Sequence, residues 1–256
     1  MVLTKYKSPE EIKHSLGSAR RVAVFSCSGC ANMNQIGGLR GMRFLRKQLE
    51  EWGYEVAVAA SPLGCCSTAV MERTVKTYIK PRRESIDAVV QISCMAGIKN
   101  AFYFNPGLKV VAAADPVGVE TLLPLDAYYS DRGEDMVAFG LCTPCGHCVL
   151  SFTTGICPYV ECPTKSLYGP CENAPGPGDN GLCCRDRGRP CVWRIIADRG
   201  GDLEDLRELE RMHRERDLQR IPSVERDTAG GIKNKTVGFI GSIALAPLAD
   251  LVHWIR

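Results

Sequence analysis

The chain has 256 residues, 45% hydrophobic and 24% charged, enough for one large domain or two small ones with a buried core, and not the composition of a disordered chain. Its formal net charge of +3 is nearly balanced and its Lys and Arg residues are scattered, so nothing calls for nucleic acid. The outlier is 14 cysteines; the charged N-terminus has no apolar signal core, and disulfide-rich secreted domains usually fall below ~80 residues, so the thiols read as metal ligands of a cytoplasmic protein.

In chain order, VAVFSC (22–27) is a continuous apolar run ending at a glycine-containing turn, which suits a buried parallel strand. Gly38 to Trp52 follows as an amphipathic helix with apolar positions at Leu39, Met42, Phe44, Leu45 and Leu49. A second strand (54–61), a weaker helix (70–78), a third strand (87–93) and a fourth (108–115) continue the alternation. This pattern predicts an α/β fold: a small doubly wound parallel-sheet domain, flavodoxin-like or Rossmann-like, over residues 1–138.

Residues 139–200 are rich in Cys, Gly and Pro. With few large apolar residues for a core of their own, they read as a cysteine-rich, ferredoxin-like irregular iron–sulfur module stabilised by metal. Residues 201–256 then hold a charged helix (202–220) with a thin stripe of Leu203, Leu206, Leu209 and Met212, a polar linker (228–235) and an apolar docking tail. Val237 to Val252 carries Pro247 and Asp250 and falls short of the ~20 apolar residues of a membrane span.

Two sets of cysteines stand out. Cys27 and Cys30 follow the first strand, Cys65 and Cys66 the second, and Cys94 the third. The carboxyl ends of parallel strands form the ligand crevice of open α/β sheets, so these thiols converge without any motif being invoked. Cys27, Cys30, Cys94 and one of Cys65 and Cys66 suit tetrahedral zinc or a [4Fe–4S] cluster. Neighbouring side chains on an extended segment point opposite ways, so one of the vicinal pair reaches the site. A redox thiol pair and plain packing of small apolar side chains are the competing readings.

The second set opens with CTPCGHC, the C-x2-C-x2-C run that wraps three corners of a cubane. Cys142, Cys145, Cys148, Cys157, Cys162, Cys171, Cys183 and Cys191 make eight, the requirement for two [4Fe–4S] clusters, with Cys184 spare. Two zinc ions would need as many thiolates; the close triplet favours iron–sulfur. Cys157 stands further from Cys148 than the fourth ferredoxin cysteine does, so it suits either cluster. His147 and His213 read as surface residues beside so many thiols, and Glu161 is the only carboxylate between 137 and 171. No GxGxxG, Ser–His–Asp or Cys–His constellation is present, so no catalytic residue is assigned.

GLCTPCGHCVLSFTTGICPYVECPTKSLYGPC, followed by GLCC and PCVW, resembles the C-terminal-domain family of methylenetetrahydrofolate reductases. CSGCANMNQIGG, GCC and SCMAG resemble the N-terminal half of that enzyme's small iron–sulfur/zinc partner subunit (MetV type). The resemblance implies an electron-transfer subunit in the one-carbon metabolism of anaerobes. Its partner would be a flavin-containing (FMN or FAD) methylenetetrahydrofolate reductase catalytic subunit, with heterodisulfide-reductase-like proteins as other electron donors. It also implies clusters on the eight later cysteines, and zinc, with a third [4Fe–4S] cluster as the alternative, on Cys27, Cys30, Cys94 and one of Cys65 and Cys66. The chain departs from the family at GPCEN, TTGICP and GLCC, all beside cluster loops. A zinc-stabilised scaffold, an electron carrier of another heterodisulfide-reductase-like complex, and an enzyme with an open N-terminal cluster are the rival expectations.

Overall fold

A computed structural model describes residues 2–120, 127–129, 142–175, 181–183 and 188–218. Cys184, the linker and the apolar tail lie outside the described residues.

Four parallel strands build the larger sheet: β2 (Arg21–Ser26), β3 (Glu55–Ala60), β4 (Ala88–Ile92) and β5 (Lys109–Ala112), in the order β3-β2-β4-β5. β2 pairs with both β3 and β4, and β4 with β5. This is the flavodoxin-type order, with the first strand of the sheet inside the second. Val22, Val24, Phe25, Val89, Val90 and Ile92 are fully buried, which is why these runs read as continuously apolar rather than alternating.

The fourth predicted strand splits in two. β5 ends at Ala112, and Ala114–Glu120 turns away as β6. Asp115 brings a charge and Pro116 lacks the N–H that a central ladder needs, so the parallel pairing stops there. β6 instead pairs antiparallel with β1 (Val2–Tyr6) and β7 (Ala127–Tyr129) in a three-stranded sheet that the sequence pattern had not announced.

Helix α1 (Pro9–Leu16) also went unpredicted. Ser8 caps it by accepting the Glu11 N–H at 3.2 Å, Pro9 opens it, and Gly17 at φ 57° ends it. A single turn, α2 (Cys30–Met33), leads into α3 (Gly38–Glu51), as expected there. Met42, Leu45 and Leu49 are buried on α3, but Phe44 is 48% exposed, contrary to the predicted stripe. It lies at the stripe's edge and packs against Tyr6, the rings tilted at 46° with centres 4.9 Å apart. α4 (Thr68–Thr74), capped by Ser67, runs into a π turn (Val75–Ile79) and a 3-10 turn (Lys80–Ser85). α5 (Met95–Phe104) follows β4.

The cysteine-rich region has a core, against expectation. Val149, Phe152, Ile156, Trp193 and Ile196 are buried together with Leu206 and Leu209. These come from the loop before α6 (Pro158–Glu161), from α7 (Val192–Asp198) and from α8 (Leu203–Leu218). The apolar residues are sparse along the chain, and the leucine stripe of α8 completes the cluster. Cys142, Cys148 and Leu150 pack instead into the core of the α/β sheet. Among the described residues no helix is long and apolar enough to cross a membrane.

Candidate functional site

The early cysteines lie together beyond the carboxyl ends of the strands. Cys27 leaves β2, its N–H donating to the Ile92 carbonyl of β4 at 2.8 Å. Cys30 opens α2 and is half-buried. Cys65 is fully buried and its free thiol hydrogen-bonds that of Cys27, while Cys66 is exposed. Cys94 is the residue capping α5. Gly97, one turn into α5, makes the approach close: a Cβ there would stand 2.8 Å from Cys65 Cβ and 2.6 Å from Ser93 Oγ.

Their chemistry is unequal. The Cys65 thiol donates to Cys27, which with the N–H groups of Cys65, Gly29 and Ala31 holds the Cys27 thiol down at about 6. The same bond, then burial and the neighbouring Cys27, Cys94 and Cys66, push Cys65 well up. Burial pushes Cys94 up to about 11, with the charges of Cys27 and Cys30 adding to it. Of these three, Cys27 gives up its proton most readily, and Cys65 and Cys94 hold theirs more tightly.

The CTPCGHC loop brings Cys142, Cys145 and Cys148 to one cleft, and Cys157 completes its wall. The cleft opens to solvent, and Met95 lines it too. Met95 follows Cys94, so one peptide bond separates a cysteine of the first group from a residue that lines the cleft. The Cys142 thiol feels the charge of Cys94 as well as those of Cys148, Cys157 and Cys145. Burial pushes Cys142 and Cys157 up, Cys145 to about 11 and Cys148 to about 12. Gly146 turns the loop at φ 76° and donates to the Pro116 carbonyl at 2.9 Å.

The last cysteines lie on the other side of α6. Cys162 and Cys191 are buried in the second core. The antiparallel bridge between Leu182 and Pro190 has Cys183 N–H donating to Arg189 O on one side and Cys191 N–H donating to Gly181 O on the other, both at 2.8 Å. Cys171 is half-buried in a loop whose Leu167, Tyr168 and Ala174 pack on that core. Among the described residues no three Cys, His, Asp or Glu side chains are grouped so as to hold one metal ion.

Behind the CTPCGHC loop lies a cluster of charges that sequence reasoning missed. Lys7 Nζ contacts Asp115 Oδ1 at 2.8 Å and Glu11 Oε2 at 3.1 Å. Arg216 Nη1 contacts Glu11 Oε1 and Asp115 Oδ2, both at 2.9 Å. All but Arg216 are essentially inaccessible. Two signals were legible in principle: Asp115 ends an apolar strand run, and Lys7 and Glu11 stand one helical turn apart. Arg216 is hidden by composition, one of many charges on α8.

Burial alone would raise the Glu11 carboxyl, but His213, Lys7 and Arg216 hold it far below the usual range. Asp115 is lowered in the same way against burial, by Lys7 and Arg216. His213 corrects the expectation of a surface histidine: it is 1% exposed. Its Nδ1 hydrogen-bonds the Tyr168 hydroxyl at 2.8 Å, and its ring lies 5.0 Å from that of half-buried His147. Burial lowers its pKa, so the fold favours the neutral ring.

A pH dependence follows. An unfolded chain protonates histidine below about 6.5 and carboxylates below about 4. The folded chain resists both, so the stability from His213, Glu11 and Asp115 is present above those values and lost as pH falls. Thermal unfolding from pH 8 to pH 3 is expected to show a first decline below about 6.5 and a steeper one below about 4. A level unfolding temperature across that range would contradict it.

No curated protein and no solved structure matches the chain. Residues 128–219, which contain every cysteine from Cys142 to Cys191 and reach past Arg216, match the family described as methylene-tetrahydrofolate reductase C terminal, and over that stretch the chain is similar to it.

Proposed function

We propose that this chain carries electrons through iron–sulfur clusters, as a subunit of a methylenetetrahydrofolate reductase-type complex whose flavin (FMN or FAD) sits on the partner. The observation that carries the reading is the cleft walled by Cys142, Cys145, Cys148 and Cys157. The family match over residues 128–219 supports the choice of complex.

The donor set fits a [4Fe–4S] group. Four mostly buried thiols with raised pKa values repel one another once ionised, and they lose their protons together only to a strongly cationic partner. Each thiolate of a cubane binds a different iron, so the four need not close on a single ion. Cys142, Cys145 and Cys148 would hold three corners and Cys157 the fourth. Cys162, Cys171, Cys183 and Cys191 would hold a second such group, and Cys27, Cys30, Cys65 and Cys94 a third group or zinc. When bound, such a group supplies one-electron storage and transfer.

What the chain itself does is hold, space and enclose. Cys65 takes the ligand place and Cys66 is left at the surface. The Cys94–Met95 peptide joins the first group to the middle cleft, and α6, between Cys157 and Cys162, joins the middle cleft to the last. Three thiol groups linked in a row by short covalent segments suit stepwise electron passage. The apolar tail would dock on the partner.

The test is iron, sulfide and zinc content with an EPR spectrum, on protein purified without oxygen. About eight irons with a zinc, or about twelve irons without one, supports the reading. Zinc with almost no iron overturns it in favour of a scaffold. Cys94→Ala is expected to remove the metal of the first group alone; unchanged iron and zinc in that variant would remove Cys94 from the ligand set.

A further inference from the structure

Four charges lie buried behind the CTPCGHC loop, and electron transfer does not by itself require them. Taking a charge out of water is costly before pairing, and apolar residues fill such space at less cost. The four alternate in sign: Lys7, Asp115, Arg216 and Glu11 close a ring through contacts of 2.8, 2.9, 2.9 and 3.1 Å. The ring is neutral only as a whole.

It also grips the loop at two backbone points. Asp115 Oδ1 accepts the Cys148 N–H at 3.0 Å. Arg216 Nη2 donates to the Gly146 carbonyl at 2.6 Å. Gly146 is the loop's positive-φ residue and Cys148 its third thiol, so the ring fixes the part of the loop that aims sulfur into the cleft. Lys7 lies in the link between β1 and α1, Glu11 in α1, Asp115 in β6 and Arg216 in α8. Three elements and one link thus converge on one turn.

We propose that Lys7, Glu11, Asp115 and Arg216 are positioning residues that hold the CTPCGHC backbone and set the reduction potential of the group bound in its cleft. This rests on the electron-carrier reading above. In a low-dielectric interior an unbalanced charge acts strongly on a redox centre a few ångströms away. A cation there favours the electron's arrival and a carboxylate opposes it. The ring lets Asp115 hold the Cys148 N–H without leaving a bare negative charge beside the cleft.

The experiment is an EPR-monitored redox titration, at pH 8, of anaerobically purified protein and of Lys7→Gln and Asp115→Asn, each with iron and sulfide content measured first. Lys7→Gln is expected to lower the potential of one cluster and Asp115→Asn to raise it. Each change should be about tenfold in the reduction equilibrium, or about 59 mV for one electron. Opposite signs are the readout that a merely structural role would not give. Equal-signed or absent shifts in iron-replete variants overturn the inference and leave the electron-carrier reading standing. A wild-type chain without iron overturns that reading and this inference with it. Should either variant lose its iron, Arg216→Lys and Arg216→Gln take its place, because the Arg216 side chain is 13% exposed at the ring's edge. The lysine variant is expected near the wild-type potential and the glutamine variant below it; equal potentials in the two overturn the proposal.

Discussion

Cys145→Ser is expected to lose one cluster's iron, roughly a third to a half of the total, while Cys66→Ser keeps all of it. Cys145 stands mid-loop in the wall of the cleft, flanked by Cys142 and Cys148 and facing Cys157. A serine hydroxyl ionises far less readily than a thiol and is a poor iron donor, so three thiolates remain where four are needed. Cys66 is exposed, whereas Cys65, its neighbour, is buried against Cys27. Colorimetric iron and sulfide assays on anaerobic preparations of both variants decide the matter. Full iron in Cys145→Ser, or a matching loss in Cys66→Ser, would break the ligand assignment.

Asp115→Ala is expected to cost about 3–5 kcal/mol of folding stability, the range for breaking a buried ion pair by removing one partner. Lys7 and Arg216 would then face one another with only Glu11 between them, and the Cys148 N–H would lose its acceptor. Arg211→Ala is the comparison. Arg211 pairs with Glu208 and Glu215 on the outer face of α8, and solvent screens those pairs, so its loss is expected to fall within experimental error. Chemical denaturation of iron-replete protein, followed by circular dichroism, measures both. Similar stabilities for the two variants would mean that the ring is no more than a set of surface pairs.

The parts of the fold legible in the sequence were those with one dominant cause. VAVFSC and DAVVQIS are the two central strands, buried on both faces, and their continuous apolar runs announce it, whereas YEVAVAAS lies at the sheet's edge and is only partly buried. The convergence of Cys27, Cys65 and Cys94 followed from that topology alone, because strand ends share an edge. The likeness to the methylenetetrahydrofolate reductase C-terminal family, read from the cysteine spacing, is borne out over residues 128–219. What escaped was long-range. β1 is five residues whose partner lies more than a hundred positions away, so no local periodicity marks it. Phe44 falls within the apolar pattern of α3, yet it is drawn aside by Tyr6. The second core depends on Leu206 and Leu209 crossing back onto the cysteine-rich loops, which composition within 139–200 does not reveal. Neither does any local pattern bury His213 or join Lys7 to Arg216. Those outcomes belong to tertiary packing, where each residue's fate is decided by one far along the chain.

The charge ring also bears on how the protein is made. Lys7 and Glu11 emerge from the ribosome well before Arg216, which follows Glu11 by 205 positions. At about 5–20 residues per second, the ribosome delivers that arginine roughly 10–40 s later. A nascent chain ending before it carries two carboxylates against a single lysine around the thiol loop, an excess of one negative charge. Any metal centre inserted during that interval would meet an electrostatic environment different from the mature one. Completion of the pocket thus waits for α8, and termination or proteolytic trimming upstream of that helix's final turn leaves the enclosure electrically unfinished.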